Sequence, residues 1–535
     1  YWIDHWTYIA DLLEAYAGVW PERVGAMLTE TADIPWFDEG AYVAPRRDKY
    51  IQRTSGPLQL NAVVDGKPPT TPLPAVTPLG KLCALLAVKA VSLDTEGKGI
   101  RMEAGRPGWN DSMNGLPGLF GSSTCETAEA ARLARWLMRE LPDPPDTYLP
   151  CEIAEFLESV VRDLEATGYD WDRAASLCER FRARLRAELS GETRQVSGSL
   201  LARLLKGVEA RMSRGVAASV DPATGLMYTY FRAEPVDARP SLDEQGSART
   251  AQATGSPLLD ITSFSQTPLP LFLEGQVHRL RLLDNDRGEA RRIYTSVRRS
   301  GLFDETLGMY KMNECLASEP AGIGRARTFS RGWFENESVW LHMSYKYLIE
   351  LLRCGLYEEF FVDARTMLVP FMDPAVYGRS TFENSSFIAP SANPDPNTHG
   401  RGFIARLSGS TAEFIHVWLL LTVGTRPFRQ TDAGLCLCLE PVLPAEWFTR
   451  EAVSLDWAGE CTDLPPNAFA CAFLGDSLLV YHNPLRRSTF GQGAVAPVRY
   501  SLDGGPTRAG ACLCGGDAEA LRSRAIRRLD VWLGI

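Results

Sequence analysis

The sequence predicts a mainly α fold, a toroid of paired helices over residues 1–428 followed by a small C-terminal β-sheet domain over residues 429–535. Three observations predict it. Up to about residue 425, apolar residues recur at i, i+3, i+4 and i+7 in segment after segment. Long Gly/Pro loops, not tight hairpin turns, separate those segments, as in a helical toroid whose loops form a funnel. After about residue 430 the apolar period falls to two.

In chain order the helical segments are PLGKLCALLAVKAV, ETAEAARLARWLMREL, EIAEFLESVVRDLEA, WDRAASLCERFRARLRAEL and SGSLLARLLKGVEARM. EARRIYTSVRRS, VWLHMSYKYLIELLRCG and YEEFFVDARTMLVPF continue the pattern. DPATGLMYTYF interrupts it and reads as a β-hairpin with its turn at ATG. The last helix is RLSGSTAEFIHVWLLLTVG, residues 406–424. There Ser410 and Glu413 have capping-box spacing and Gly424 is placed to stop the helix. GLCLCLEPVL, FACAFLGDSLLVYHN and APVRYSLDGG then alternate between Pro, Gly and Asn breaks. SRAIRRLDVWLGI fits a helix or a strand equally.

At 535 residues the chain can bury one large core and a smaller one. With 45% apolar and 23% charged residues it belongs to the ordinary soluble globular class. A net charge of −10 with no basic block excludes a nucleic-acid or anionic-membrane surface. The longest apolar run, around Val417–Val423, is too short to span a bilayer. Among twelve cysteines, Cys83, Cys178 and Cys354 sit in helical apolar patterns as small hydrophobes. The alternation in LCLCLEPVL puts Cys436 and Cys438 on one face of a strand. Cys512 and Cys514 repeat a spacing that is not the usual C-x-x-C of a metal site. The expectation is reduced core thiols, no metal, and a cytoplasmic protein.

Residues 105–118, GRPGWNDSMNGLPG, can form neither helix nor strand. A turn in which Asp111 bonds its own backbone is the plain reading of Asn110-Asp111. Trp109 adds more, because an aromatic beside a carboxylate suits a sugar platform next to an acid. Ser408-Gly409-Ser410 puts two hydroxyls and a bare turn at a helix N-terminus, a ready anion site. His399, Arg401 and Arg406 add positive charge just upstream. GWFENESVWLHMSYKYL carries Glu335 and Glu337 into a helix with His342 two turns on, although a lone histidine is most often core. YWIDHWTYIADLLEAY packs Trp2, Asp4, His5, Trp6 and Tyr8 together, the mix of aromatic and polar groups that sugar pockets use.

The stretches WIDHWTY, PGWNDSMNGLPGLFGS, FSQTPLPLFLEG, WFENESVWLHMSYKYL, YGRSTFENSSFIAPSANPD and HGRGFIARLSGSTAEF together resemble glycoside hydrolase family 94, most closely its 1,2-β-oligoglucan phosphorylases. The resemblance runs from residue 1 to the start of the β domain. It implies an (α/α)6 barrel, the six-hairpin toroid, with a C-terminal β-sheet domain; the β-sandwich and helical linker that precede the barrel in the family are expected to be missing here. It also implies site roles. The family's W-N-D segment falls on Trp109, Asn110 and Asp111, the aspartate being the general acid. Its E-N-G-G-x-x-x-H segment falls on Glu335, Asn336 and His342, and its phosphate loop on Ser408, Gly409 and Ser410. Asp4, His5 and Trp6 fall where the family binds the non-reducing-end sugar. The chain departs from the pattern at Gly108, in place of an acidic residue. It departs again at Glu337-Ser338, in place of two glycines, and at Thr411-Ala412-Glu413, in place of Ala-Gly-Trp.

The resemblance therefore implies an inverting phosphorylase, a hexosyltransferase that cleaves β-linked gluco-oligosaccharides, β-1,2-glucan foremost, to α-glucose 1-phosphate. Inorganic phosphate is the co-substrate and no other cofactor is expected. Asp4, His5, Trp6, Trp109, Asn110 and Glu335 would bind sugar, and His342, His399, Arg406, Ser408, Gly409 and Ser410 phosphate. A general acid must hold its proton near neutrality, so Asp111 is expected in an aromatic, buried setting. An inverting hydrolase with Glu335 or Glu337 as base, and an inactive carbohydrate-binding relic, are the alternatives. Partners would be oligosaccharide and phosphate, with a homodimer as the family's habit.

Overall fold

The computed structural model describes residues 3–36, 42–60, 63–64, 74–103, 108–187, 189–283, 286–405 and 408–535; the side chains of 3–7, 42, 63–64, 405, 408 and 460 are outside it. Its helices are α1 (Ile3–Val19), α2 (Val24–Thr29), α3 (Pro78–Ala90), α4 (Thr124–Glu140), α5 (Cys151–Glu165), α6 (Trp171–Arg186) and α7 (Gly198–Ala218). There follow α8 (Leu273–Arg281), α9 (Arg287–Arg299), α10 (Leu341–Arg353), α11 (Tyr357–Met367), α12 (Pro374–Tyr377), α13 (Ser408–Thr422) and α14 (Gly516–Arg522). Side-chain oxygens of Thr77, Asp170, Ser197 and Asp286 accept from the first-turn N–H groups of α3, α6, α7 and α9. Each such cap is worth about 1 kcal/mol.

The apolar stripes meet in two cores. Leu86 of α3, Leu133 and Leu137 of α4, Leu157 of α5 and Leu204 of α7 are fully buried together. Val277 of α8, Ile293 of α9, Leu348 of α10, Phe360 of α11 and Leu421 of α13 form the other. Burying each such side chain contributes roughly 1.5–3 kcal/mol.

Polar contacts join α1, α4, α8, α10 and α13. Arg132 of α4 donates to Asp11 (2.6 Å) and Glu14 (2.7 Å) of α1. His278 of α8 bonds Glu129 of α4 at 2.7 Å, and Arg281 of α8 donates to Glu350 of α10 at 2.6 Å. Burial alone would raise the Asp11 carboxyl, but the Arg281, Arg132 and Arg353 guanidiniums outweigh it and bring it down to about 2. The first turns of α4, α8, α10 and α13 lie at one end. Cys125 of α4 approaches Glu274 of α8, and His342 of α10 lies 3.6 Å from Glu413 of α13.

The fold is more mixed than the mainly α expectation. Strands Tyr230–Pro240 and Leu259–Pro268 pair antiparallel and extend through Ser122–Ser123 to Ile100–Arg101 in one four-stranded sheet. The ATG turn forms, with an isolated bridge between Val220 and Met227, but the strand after it pairs with residues 259–268. That hairpin escapes a periodicity reading because its outer half is exposed on both faces.

From Phe428 onward strands predominate, with α14 preceding the last of them. Ala468–Phe473, Ser477–His482, Arg528–Gly534, Ala496–Leu502 and Arg508–Ala509 make a five-stranded sheet in that order. The ambiguous C-terminal segment is thus an interior strand, burying Leu529, Val531 and Leu533. The expectation of reduced thiols is overturned at Cys436–Cys514 and Cys438–Cys512, which are disulfides. Strand Gly434–Leu437 pairs antiparallel with Leu513–Cys514, bringing the Cα atoms of the two pairs within 4.0 and 4.5 Å. Spacing along the chain says nothing about that pairing. A cytoplasmic location inferred from reduced thiols loses its support. Cys83, Cys178 and Cys354 are buried free thiols. Among the described residues no helix is long and apolar enough to cross a membrane.

Candidate functional site

The loop holding Trp109, Asn110 and Asp111 is fixed from within and from a neighbouring loop. Asn110 Oδ1 accepts from the Ser112 backbone N–H (3.2 Å) and hydroxyl (2.6 Å), capping the short turn Asp111–Met113. Its Nδ2 is buried with no hydrogen-bond partner among the described residues. Gly115 lets this loop lie against another backbone, because a Cβ there would stand 2.1 Å from the Gly322 carbonyl oxygen. The next turn, Arg325–Arg327, donates its first N–H to Asn114. Asp111 itself is exposed.

The expectation of a buried Asp111 is therefore corrected, and the carboxyl that burial affects is Glu335. Burial raises Glu335 above the usual carboxylate range and Asp111 adds to the rise, while Arg325 and the Ser112 hydroxyl oppose it. Asp111, Ser112, Arg325 and Glu335 are thus neighbours, and Arg325 was not anticipated from sequence. Glu337 sits differently. It is 1% exposed, pairs with Lys311 at 3.2 Å and with Arg331, and takes a left-handed φ of 59°. Those ion pairs hold a non-glycine residue where the resemblance expects glycine, against a cost of about 1–2 kcal/mol. So held, both Glu337 carboxylate oxygens are engaged by cations.

The second half of the site is the start of α10 and α13. His342 accepts or donates at Nε2 with the Tyr8 hydroxyl (2.8 Å), and its ring lies edge-on to Trp109 at 6.3 Å. Gly409 is required here, since a Cβ would lie 2.8 Å from His342 Nδ1. The Glu413 carboxylate stands 3.6 Å from His342 Nε2 and 3.8 Å from His416 Nδ1. Burial would raise Glu413, but His342, His416 and Lys346 hold it well below the usual range. Lys346, one turn beyond His342, is buried with its ammonium 5.0 Å from the Tyr8 ring centre. Lys346 was not anticipated from sequence; its spacing of four from His342 puts both on one face of α10.

Other anticipated residues lie elsewhere or outside the described residues. Ser410 is buried inside the first turn of α13, so the helix begins before the expected cap, and Glu413 faces His342. His399 Nε2 donates to the Asn393 carbonyl at 2.8 Å and closes its own loop. Among the described residues it shares no hydrogen bond or ring contact with His342 or Asp111. Asp4, His5 and Trp6 fall on α1, but their side chains lie outside the described residues, as do Arg406 and the Ser408 side chain. An open cleft of about 760 Å³ lies at Lys311, Ser330, Arg331, Ser391 and Asn393; neither Asp111 nor His342 lines it.

Among the described residues, one set of metal-ligating groups comes together, behind Trp109: Cys125, Glu274 and His278, with ligand atoms within 4.8 Å of one another. Burial would raise Glu274, but His278, Tyr230 and the nearby Trp109 indole lower it.

Searched against family models and against characterised proteins, the chain finds no match. Among solved structures it is similar to an uncharacterized conserved protein from Thermus thermophilus, at 11% identity and TM-score 0.24, over 54% of this chain and 53% of that one. It thus spans about half the length of that protein. It is also similar to the GH63 mannosylglycerate hydrolase of Thermus thermophilus in complex with glucose, at 11% identity and TM-score 0.27, over 78% of this chain and 92% of that one. The same hydrolase with Tris and D-glycerate gives 12% identity and TM-score 0.23, over 63% and 92%. Likenesses this slight carry no argument about fold or chemistry.

Proposed function

We propose that this chain is an inverting glycoside phosphorylase acting on β-linked gluco-oligosaccharides, with β-1,2-glucan as the leading substrate. One observation carries the reading: His342 and the Ser408–Ser410 turn meet at the converging first turns of α10 and α13, with Trp109 and its Asp111 loop alongside. Helix N-termini favour an anion. Asp111 protonates the glycosidic oxygen while phosphate attacks the anomeric carbon from the opposite face, giving α-glucose 1-phosphate and a shortened glucan. Trp109 supplies a platform for the sugar, and the buried Asn110 Nδ2 is a donor available to it. The set α1, α4, α8, α10 and α13, with α3, α7, α9 and α11 packed against it, suits the six-hairpin toroid, with residues 429–535 as the β domain. Asp4, His5, Trp6, Arg406 and His399 remain candidates for sugar and phosphate contacts.

A second reading has an observation of its own. The Glu413 carboxylate already stands beside His342, and Glu335 is a second carboxyl next to Asp111. Those features suit an inverting hydrolase in which Glu335 activates water. Incubating the protein with β-glucans of defined linkage, with and without inorganic phosphate, separates the two. Phosphate-dependent release of glucose 1-phosphate supports the phosphorylase, and free sugar released without phosphate supports the hydrolase. No breakdown under either condition overturns both and leaves a binding protein.

A further inference from the structure

We propose that Cys125, Glu274 and His278 form a three-ligand zinc site behind Trp109. The groups come from the first turns of two adjacent helices, Cys125 from α4 and the i, i+4 pair Glu274 and His278 from α8. All three are at least 97% buried, and one ligand atom from each lies within 4.8 Å of the others. A thiolate, an imidazole and a carboxylate together select zinc over magnesium or calcium, which take oxygen ligands.

The outer contacts orient these ligands. His278 Nδ1 is held by Glu129 at 2.7 Å, which turns Nε2 toward Glu274 and reproduces the carboxylate–histidine support found behind zinc-bound imidazoles. The Tyr230 hydroxyl donates to Glu274 Oε2 at 2.8 Å, leaving Oε1 to face His278. Between those two presented atoms the distance is 3.7 Å. A simple ion-paired cluster would close that gap to hydrogen-bond length, as it does on the Glu129 side. Two ligands sharing a tetrahedral zinc ion are instead about 3.4 Å apart, from zinc–ligand distances near 2.1 Å. A metal and a proton compete for Nε2, and the same carboxylate support serves either.

The fourth position has a natural occupant. Trp109 Nε1 is buried beside Glu274, whose charged form it helps to hold, and is a donor suited to a zinc-bound water. The site would tie the Trp109 loop to α4 and α8, whatever reaction that loop serves.

The test uses the full chain, produced with zinc in the medium and freed of loosely bound metal by gel filtration. One equivalent of zinc per chain is expected. Exchange to cobalt should give a thiolate-to-cobalt charge-transfer band that is absent in Cys125→Ser. Chelation from the unaltered protein should change the Trp109 environment, read as a tryptophan fluorescence shift lost in Trp109→Phe. This last measurement needs no ligand variant to fold. Metal-free protein that takes up neither ion overturns the site, as does a cobalt band that survives Cys125→Ser. An unchanged fluorescence on removal of bound zinc overturns the contact with Trp109.

Discussion

Gly409→Ala tests the joint between α10 and α13. The added Cβ would lie 2.8 Å from His342 Nδ1 and 3.0 Å from both Cγ and Cε1. Ordinary carbon contacts are about 3.5–4.0 Å, so the imidazole must withdraw by roughly 0.5–1 Å. It has little room to do so, because the Tyr8 hydroxyl is 2.8 Å from Nε2 on its other side. Misplacing a reacting or anchoring group by about 1 Å costs on the order of 10²-fold. Alanine also favours helix over glycine by up to about 1 kcal/mol, which offsets part of the steric cost. The expected variant therefore keeps a melting temperature near the parent's while kcat/KM for phosphorolysis falls about 10²-fold, with a higher apparent KM for phosphate. Initial rates of glucose 1-phosphate release across a phosphate series, with thermal unfolding alongside, measure both. Unchanged phosphate kinetics would refute the reasoning, because His342 would then owe nothing to the turn at Gly409.

Asp111→Asn should leave the fold intact, since Asp111 is exposed, and should slow glycosidic cleavage by about 10²–10⁴. Activity within a few-fold of the parent removes Asp111 as the acid. The ionic belt predicts acid sensitivity. Asp11, Glu14 and Glu129 all titrate lower in the folded protein than their ordinary values of 3.8 and 4.5. Their contribution is complete above those ordinary values and is lost as pH falls, through about 2 for Asp11. Asp11 alone accounts for about 2 kcal/mol. Urea midpoints that stay flat between pH 5 and pH 3 would contradict this. Thiol titration of the denatured protein should find eight of twelve cysteines free, and twelve after reduction. Reduction should destabilise the β region by about 2–5 kcal/mol. Twelve free thiols before reduction would remove both disulfides.

The longer amphipathic helices were legible in the sequence because each advertises its buried face every three or four residues, as Leu133 and Leu137 do on α4, whereas α8, nine residues long and buried on nearly every side, was not. The Gly/Pro segment around Trp109 was equally plain as a loop, and the turn at 408–410 as a helix start. Other features depend on which segments become neighbours, which local pattern does not encode. The hairpin at 230–268 was invisible because half of it faces solvent on both sides. Cys436 and Cys514 are 78 residues apart, and only strand pairing makes them a disulfide. Burial was also decided in three dimensions: of two carboxyls on two loops, packing left Asp111 in solvent and Glu335 half-buried. Glu413 reads locally as a helix cap, yet the approach of α10 to α13 turns it toward His342. Local sequence sets what each segment prefers to be. The meeting of distant segments sets the electrostatics of the charges they carry, and the chemistry belongs to that meeting.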